Sequence, residues 1–494
     1  MNGQSKTMQT RPTLFHGMRA FLLPLLMIPI MIGVNGCQSN PATGDSDFLI
    51  MTPSEQRALG EQADAQIVAQ YGELNDQEMQ ALVERIGREV VAQSGDDRFD
   101  YVFRVLDSEV INAFALPGGF IYVTRGLLEY LNNDAQLAMV LGHEVGHVAA
   151  NHSAIQYRDQ NLANIGLVIG GAVFEEIQPF LGAASQGLQL LFLSYSRAHE
   201  TQSDTLGVMY ATKAGYEAAE GAKFFETLQQ LSAQAGSSIP EWASTHPDPA
   251  NREENIITKA AEWEAAVGGT LGGVNPEVYI PRLDDMVFGV NPRNGFVQGN
   301  TFYHPDLQLQ FPIPSGWLFG NFSSQVQMAS PDQDAGIIFM IADASSPAAG
   351  ASAMQAEQGV TTVSSESGTV NGFQAVRLET RIAVEGGTLG VLSYFIEKDQ
   401  TVYLFHGYTD QAKYNGYENT FESVFTNFRA VTDPTILNVQ PYRLNAIIAA
   451  QTASFSALVS PNAGAGLDIL SLAILNQVEV NTQIAQGTHL KEVQ

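Results

Sequence analysis

Between Ala20 and Val34 the chain is apolar, with Phe21, Leu22, Leu23, Leu25, Leu26, Met27, Ile28, Ile30, Met31 and Ile32 interrupted by Pro24 and Pro29. The run is short against the roughly 20 residues that span a bilayer. A second apolar stretch lies between Asn133 and His152, where Leu137, Met139, Val140, Leu141, Val145 and Val148 follow a helical spacing and predict a buried helix. Asn133 can cap it, with Gln136 at the third position of a capping-box pattern. Ahead of it, Phe120 to Val123 reads as a short strand after a Gly118-Gly119 turn. Leu162 to Leu193 is rich in Gly, Ala and Leu, and only Glu175 and Glu176 are charged. Gly170-Gly171, Pro179 and the two glutamates argue against a membrane span and for cleft-covering helices or a lid.

The pattern changes after residue 263. Residues 264–300 are rich in Gly, Pro and Asn and read as a linker. Residues 301–435 read as an α+β domain of ordinary size. Leu307 to Phe311 alternates as a half-buried strand does, Ile337 to Ile341, Val391 to Ile396 and Thr401 to Phe405 are further strands, and Asn371-Gly372 is a hairpin turn. Ala349 to Gly359 and Ala412 to Phe425 are candidate helices. Residues 436–494 form a tail.

At 494 residues the chain is long enough for two or three domains. Residues 1–36 hold Lys6, Arg11 and Arg19 and no acid, so the remainder carries 21 basic against 52 acidic side chains. That surplus repels phosphate backbones and excludes nucleic acid as an expected partner. The basic start and apolar run have the layout of a secretory signal. Cys37 is the one cysteine, so no disulfide forms within the chain. Either it is a free thiol, or Val34-Asn35-Gly36-Cys37 acts as the bacterial lipobox it resembles. In that case residues 1–36 are removed and Cys37 carries the acyl chains of a stable membrane anchor. Gln38, where Asp would retain a lipoprotein at the inner membrane, then implies the outer membrane.

The chemistry concentrates in His143-Glu144-Val145-Gly146-His147. Four residues apart on a helix, His143 and His147 share one face and can grip one metal ion. Glu144 sits where a carboxylate takes a proton from water without being a ligand. Zinc suits such a site, because it brings the pKa of water down to about 7. A catalytic zinc site takes a third protein ligand. Ala150 and Ser153 stand where one zincin class places Gly and a third His, so a later Glu is required. Glu200 is the candidate, with Asp204 one turn on, able to orient a ligand imidazole. A solvated acidic face is the plain alternative for both acids. His199 lies about 100° round the helix from Glu200, and His152 falls off the face of His147, so both read as non-ligands.

These residues resemble metallopeptidase family 48, the gluzincins that include HtpX, the CAAX-prenyl endopeptidases and the BepA-type periplasmic proteins. The resemblance runs from Asn40 to about Ile257. It rests on Asn40-Pro41-Ala42-Thr43-Gly44, on Asn112 to Gly119 leading to Ile121-Tyr122-Val123, on the His143–His147 helix, on Ser196-Arg197 through Glu200 to Asp204 and Gly207, and on Thr245-His246-Pro247-Asp248-Pro249 followed by Arg252. It implies Glu200 as the third ligand of one Zn2+ per chain and Glu144 as the catalytic base. It implies that Asn112, Ala113 and Phe114 belong to an edge strand that binds extended substrate. His246 would steady an oxyanion or cap the zinc in a resting form.

The expected fold is mixed: a mainly α, zincin-like domain over 37–263 with a short edge sheet, then an α+β domain, then a small tail module. Phe311-Pro312 through Gly316-Trp317 resembles the opening of PsbP-like domains. Leu472 to Asn476, followed by Ile484 to Leu490 with Gly487, resembles half of a LysM module, a glycan-binding unit; a packed helical tail is the alternative. The implied activity is endopeptidase quality control of misfolded or unassembled envelope polypeptides in the periplasm. Expected partners are those polypeptides, the membrane through Cys37, and outer-membrane assembly machinery or cell-wall glycan. A chaperone using the same cleft is the alternative function.

Overall fold

A computed structural model describes residues 37–44, 46–49, 51–164, 195–235, 242, 245–247, 251–384 and 387–494. The apolar run before Cys37 and residues 165–193 of the expected lid lie outside the described residues. No helix of the described residues is long and apolar enough to cross a membrane. The backbone of Cys37 is in a short strand, β1 (Cys37–Ser39), paired with β2 (Ser46–Phe48).

The first part of the chain is mainly helical. Helix α1 (Pro53–Tyr71) starts at a reciprocal Thr52/Glu55 capping box with Pro53 in the first turn. Helix α2 (Gln77–Ser94) starts on Asp76 and ends at Gly95 in the left-handed region. Three strands follow: β3 (Val102–Leu106), β4 (Ala113–Leu116) and β5 (Phe120–Thr124). Their order is β3-β5-β4, with β5 parallel to β3 and antiparallel to β4. The β4–β5 turn uses Gly118 and Gly119, both at φ +85°, a conformation that side-chain-bearing residues resist. After the short α3 (Arg125–Tyr130) comes α4 (Asp134–Ala149), buried at every position. Leu137 to Leu141 put apolar side chains on every side of it, as in a core helix, and α4 is packed by α2, β4 and the helix Arg197–Lys213.

The Gln136 expectation needs correcting. Asn133 caps the Gln136 amide, but the Gln136 side chain accepts from the Asn132 N–H and bonds Gln477, so the box does not close on Asn133.

The segment read as a linker also folds. Asn275 and Pro276 open a short helix, Pro276–Arg282, whose Tyr279 and Ile280 are buried together with Leu283. The buried Arg125 donates to the Val287 and Gly289 carbonyls and pins the segment to α3. Gly, Pro and Asn mark helix ends as well as loops, and here they mark the ends. Nor is the tail an appendage. Leu444, Phe455, Leu472, Leu475, Leu490 and Val493 belong to the same apolar core as Leu137, Val140 and Tyr279. Residues Leu444–Ile448 pair with His489–Val493 beside the helix Ile469–Leu475.

The remaining part has its own core, centred on Phe302, Phe311, Phe339, Phe405 and Phe425. Strands β6 (Phe296–Gln298), β7 (Thr301–His304) and β8 (Leu309–Pro312) form a small antiparallel sheet with Arg429–Ala430. The large antiparallel sheet has β9 (Leu318–Asn321), β10 (Gln325–Ala329), β11 (Ala335–Ile341), β12 (Val360–Val370), β13 (Phe373–Val384), β14 (Gly387–Lys398) and β15 (Thr401–Asp410). Their order is β12-β13-β14-β15-β11-β10-β9. Helix Tyr414–Phe425 contributes Phe421 and Phe425 to the core on one face, and helix Pro347–Gln355 packs Ala351 on the other. Asn371 and Gly372, both with positive φ, make the β12–β13 turn.

Candidate metal centre

Helix α4 and the helix Arg197–Lys213 cross where Gly142 meets Gly207. A Cβ on Gly142 would lie 2.8 Å from the Gly207 carbonyl oxygen, and one on Gly207 2.8 Å from the His143 nitrogen. That close approach sets Glu200 against the two histidines. His147 Nε2 is 3.0 Å from His143 Nε2 and 3.3 Å from Glu200 Oε1. His143 Nε2 is 3.4 Å from Glu200 Oε2. His246 joins from its own loop, with Nδ1 3.1 Å from Glu200 Oε1 and 3.3 Å from His143 Nε2. All four side chains are buried, and together they form a group able to hold a metal ion.

The protonation pattern tests the fit. His143 Nδ1 lies 2.9 Å from Asp204 Oδ1, an acceptor, so this ring carries its proton on Nδ1 and leaves Nε2 bare. His147 Nδ1 lies 3.1 Å from His152 Nδ1, and His152 Nε2 lies 3.0 Å from Gln202 Oε1. Gln202 Oε1 only accepts, so His152 donates to it through Nε2 and accepts at Nδ1, which leaves His147 Nε2 bare as well. Two bare nitrogens and a carboxylate within 3.4 Å repel one another unless a cation lies among them. The donors of a tetrahedral zinc with ligands at 2.0–2.1 Å are about 3.4 Å apart, and imidazole with carboxylate is a zinc donor set. Without a cation, burial opposes charge on His143, but Glu200 and Asp204 outweigh it and lift its pKa to about 9, so the centre draws positive charge, as a proton on the ring or as a metal ion that replaces it.

Glu144 is wholly buried, and neither of its carboxylate oxygens has a hydrogen-bond partner among the described residues. Burial pushes its pKa up, opposed by His246 and His143. The one ion-pair contact of Glu144 among the described residues is His246 Nε2, 3.7 Å from Oε1, and a buried carboxylate without hydrogen bonds is costly to stability and poised for proton transfer.

The edge strand differs from expectation. Asn112 precedes β4, Phe114 stacks on Tyr122 at 4.7 Å, and Ala113 meets the centre. It does so through its carbonyl, 3.3 Å from His246 Nε2. The Ala115 carbonyl accepts from Ser153 Oγ at 3.2 Å. Two outward carbonyls of the β4 edge are therefore taken by the protein's own side chains.

Neither His152 nor His199 joins the donor group. His152 nonetheless returns to His147 because the chain turns at Asn151, φ 62°, and a new helix, α5 (His152–Asn164), begins there. Continuing α4 through His152 hid this contact. Arg252, given no role above, bonds Asp204 at 2.7 Å and Glu200 at 3.3 Å and lies 3.8 Å over the Phe225 ring. Tyr195 stacks on His147 and Trp242 on His246, with ring centres 3.8 and 4.2 Å apart. Trp242 is one helical turn before His246, a spacing visible in the sequence.

The description "Peptidase family M48" matches residues 73–260, which hold every residue of the centre. This chain carries a peptidase family M48 domain. Its metal is zinc, which the donor group fits. The chain is 31% identical over 196 residues to mitochondrial metalloendopeptidase OMA1 of Arabidopsis thaliana, covering 39% of this chain and 38% of that one. It is 28% identical over 239 residues to the mitochondrial metalloendopeptidase OMA1 of Bos taurus, covering 44% of this chain and 45% of the relative. It is 24% identical over 269 residues to the beta-barrel assembly-enhancing protease of Escherichia coli, covering 51% of this chain and 55% of the relative. The chain thus spans about half the length of these curated relatives. Among solved structures it is similar to the cyanobacterial PsbP protein CyanoP from Synechocystis, at 14% identity and a TM-score of 0.23, over 28% of this chain and 96% of that one.

Proposed function

We propose that this protein is a zinc endopeptidase that cleaves unfolded or unassembled polypeptides of the bacterial envelope. The observation that carries the reading is the convergence of His143, His147 and Glu200 on one buried point, with Glu144 beside it free of hydrogen bonds. Zinc, when bound, polarises the scissile carbonyl and lowers the pKa of water. Glu144 accepts the proton of the attacking water and returns it to the amine nitrogen as the peptide C–N bond breaks. Asp204 and His152 hold the two imidazoles in the tautomers that present Nε2. Arg252 keeps Asp204 and Glu200 in place. Processing and lipidation at Cys37, with the outer membrane as destination, complete the reading. The E. coli relative, named as enhancing beta-barrel assembly, supports an envelope substrate for this chain too.

A second reading rests on one observation: among the described residues His246 sits in the donor group, where it would be a fourth ligand to a metal, and it holds the Ala113 carbonyl of the edge strand. In it His246 caps a latent site, and binding of unfolded chains without cleavage is the resting activity. Casein cleavage with zinc content separates the readings. Glu144→Gln should abolish cleavage and keep zinc; undiminished cleavage removes Glu144 from the mechanism. His246→Ala should keep zinc and raise cleavage if His246 is a cap, and lower it if His246 steadies the oxyanion. Loss of zinc from His246→Ala would instead mark a closed structural site.

A further inference from the structure

The large sheet carries a second concave site, far in sequence from the zinc ligands. Between the helix Pro347–Gln355 and the sheet face opposite the Phe-rich core lies a cavity of about 380 Å³. Its walls are apolar and adaptable, with Met340, Met354, Phe395, Leu404 and Val391 among them. Two apolar clusters line this face, one around Ile382 and Val391 and the other around Leu378 and Phe395. Between them sits a polar pair, Ser393 and His406, opposite each other on β14 and β15. Ser393 is fully buried and His406 is 9% exposed.

The hydrogen bonds fix what this pair offers. Ser393 Oγ lies 2.7 Å from His406 Nδ1 and 3.5 Å from Met354 Sδ. A hydroxyl has one hydrogen. If it goes to Sδ, His406 donates from Nδ1 to Oγ, every donor is satisfied, and Nε2 is a bare acceptor. If it goes to Nδ1, the sulfur is left out and an Nε2–H is orphaned in an apolar site, the costlier state. Of the two, only the first gives every donor of the pair a protein acceptor, and it presents Nε2 to the cavity as an acceptor. Burial also keeps the ring neutral, pushing its pKa down to about 4. No side chain among the described residues pairs with Nε2, and His406 lines the cavity. At the rim stand the exposed carboxylates Asp343 and Glu357, which oppose an anion.

We infer that this cavity is a binding site for a small apolar molecule that carries a hydrogen-bond donor and no negative charge. Apolar walls with a few convergent polar groups are the usual make-up of small-molecule sites of this size. The donor would meet His406 Nε2, and the apolar body would fill the space between the two methionines.

The probe is N-phenyl-1-naphthylamine, a neutral aromatic amine with one N–H, titrated into the full chain and followed by its own fluorescence. Anilinonaphthalene sulfonate, its anionic counterpart, is the comparator. Saturable binding of the amine at one site per chain is expected, at least tenfold tighter than the sulfonate. Ala353→Trp, on the exposed side of the covering helix, should block the mouth and weaken binding more than tenfold. His406→Phe keeps the apolar volume and should weaken it about fivefold, the value of one hydrogen bond. Circular dichroism establishes that both variants fold; for any that does not, Met354→Trp replaces it with the same expectation. Absence of saturable binding, equal affinity for the sulfonate, or affinities unchanged in the folded variants would each overturn the inference.

Discussion

If the tail is part of the peptidase core, one lysine near the C-terminus should control the stability of the zinc centre. Lys491 is 1% exposed, and its ammonium donates to the Glu129 and Leu131 carbonyls at 2.6 and 3.1 Å. Burial holds its pKa well below the ordinary lysine value, so the ion carries a desolvation cost. Lys491→Ala leaves two buried carbonyls unpaired at roughly 1–3 kcal/mol each. It also removes three packed methylenes at about 0.8 kcal/mol each. Relief of the buried ammonium, worth several kcal/mol, offsets part of this. A net loss of about 3 kcal/mol is expected. Lys491→Met keeps the stem and should lose about 2 kcal/mol less, in line with the methylene term. Trp242, stacked on His246, reports the centre directly. With Trp263 and Trp317 replaced by Phe, urea unfolding followed by Trp242 fluorescence should shift by these amounts. A Trp242 transition unmoved by Lys491→Ala would refute the shared core and restore the tail to a separate module.

Other consequences can be checked independently. Gly207→Ala drives a Cβ to within 2.8 Å of the His143 nitrogen, so zinc affinity in chelator competition should fall by the equivalent of about 1–3 kcal/mol; an unchanged affinity would show that the crossing is not tight. His152→Leu should lower zinc affinity about 10–100-fold, as loss of an orienting partner does, while His152→Asn, which retains an acceptor, should recover most of it; equal losses would point to packing alone. The folded pKa of His406 lies below its unfolded value, at about 4 against 6.5, so the unfolded state binds more protons between those values. Stability of the 301–435 region should thus be full above pH 6.5, fall by up to about 3 kcal/mol toward pH 4, and level off below. Urea unfolding of a Trp317-only chain measures it, and a slope unchanged in His406→Phe would contradict the assignment.

The donor residues were legible because metal chemistry is local in type and spacing. His143 and His147 sit on one face of one helix, and the only question was which later acid would reach them. Spacing alone left Glu200 open between ligand and surface acid; the Gly142–Gly207 crossing, a tertiary fact, is what brings it in. His152 stays outside the donor group as its spacing implied, but its contact with His147 was hidden because its position was judged on a helix that stops at Ala149. An Asn at positive φ is permitted where most residues are not, so Asn151 was the available signal for that turn. The packing of residues 264–300 and of the tail was hidden for a related reason. Punctuation by Gly, Pro and Asn says where the chain turns, not where it then packs, and Tyr279, Leu283 and Phe455 reveal their core only when α3 and α4 are beside them. Arg252 carried no periodic signal, since its partners Glu200 and Asp204 lie on a separate helix.

The central claim is that His143, His147 and Glu200 hold one zinc ion. Elemental analysis of the purified full chain after exhaustive dialysis, beside Glu200→Ala and His147→Ala, tests it most directly. The account predicts one zinc per chain in the natural protein and loss of tight binding in both variants. A natural chain that retains no zinc, or a Glu200→Ala chain that holds it as tightly, would contradict it.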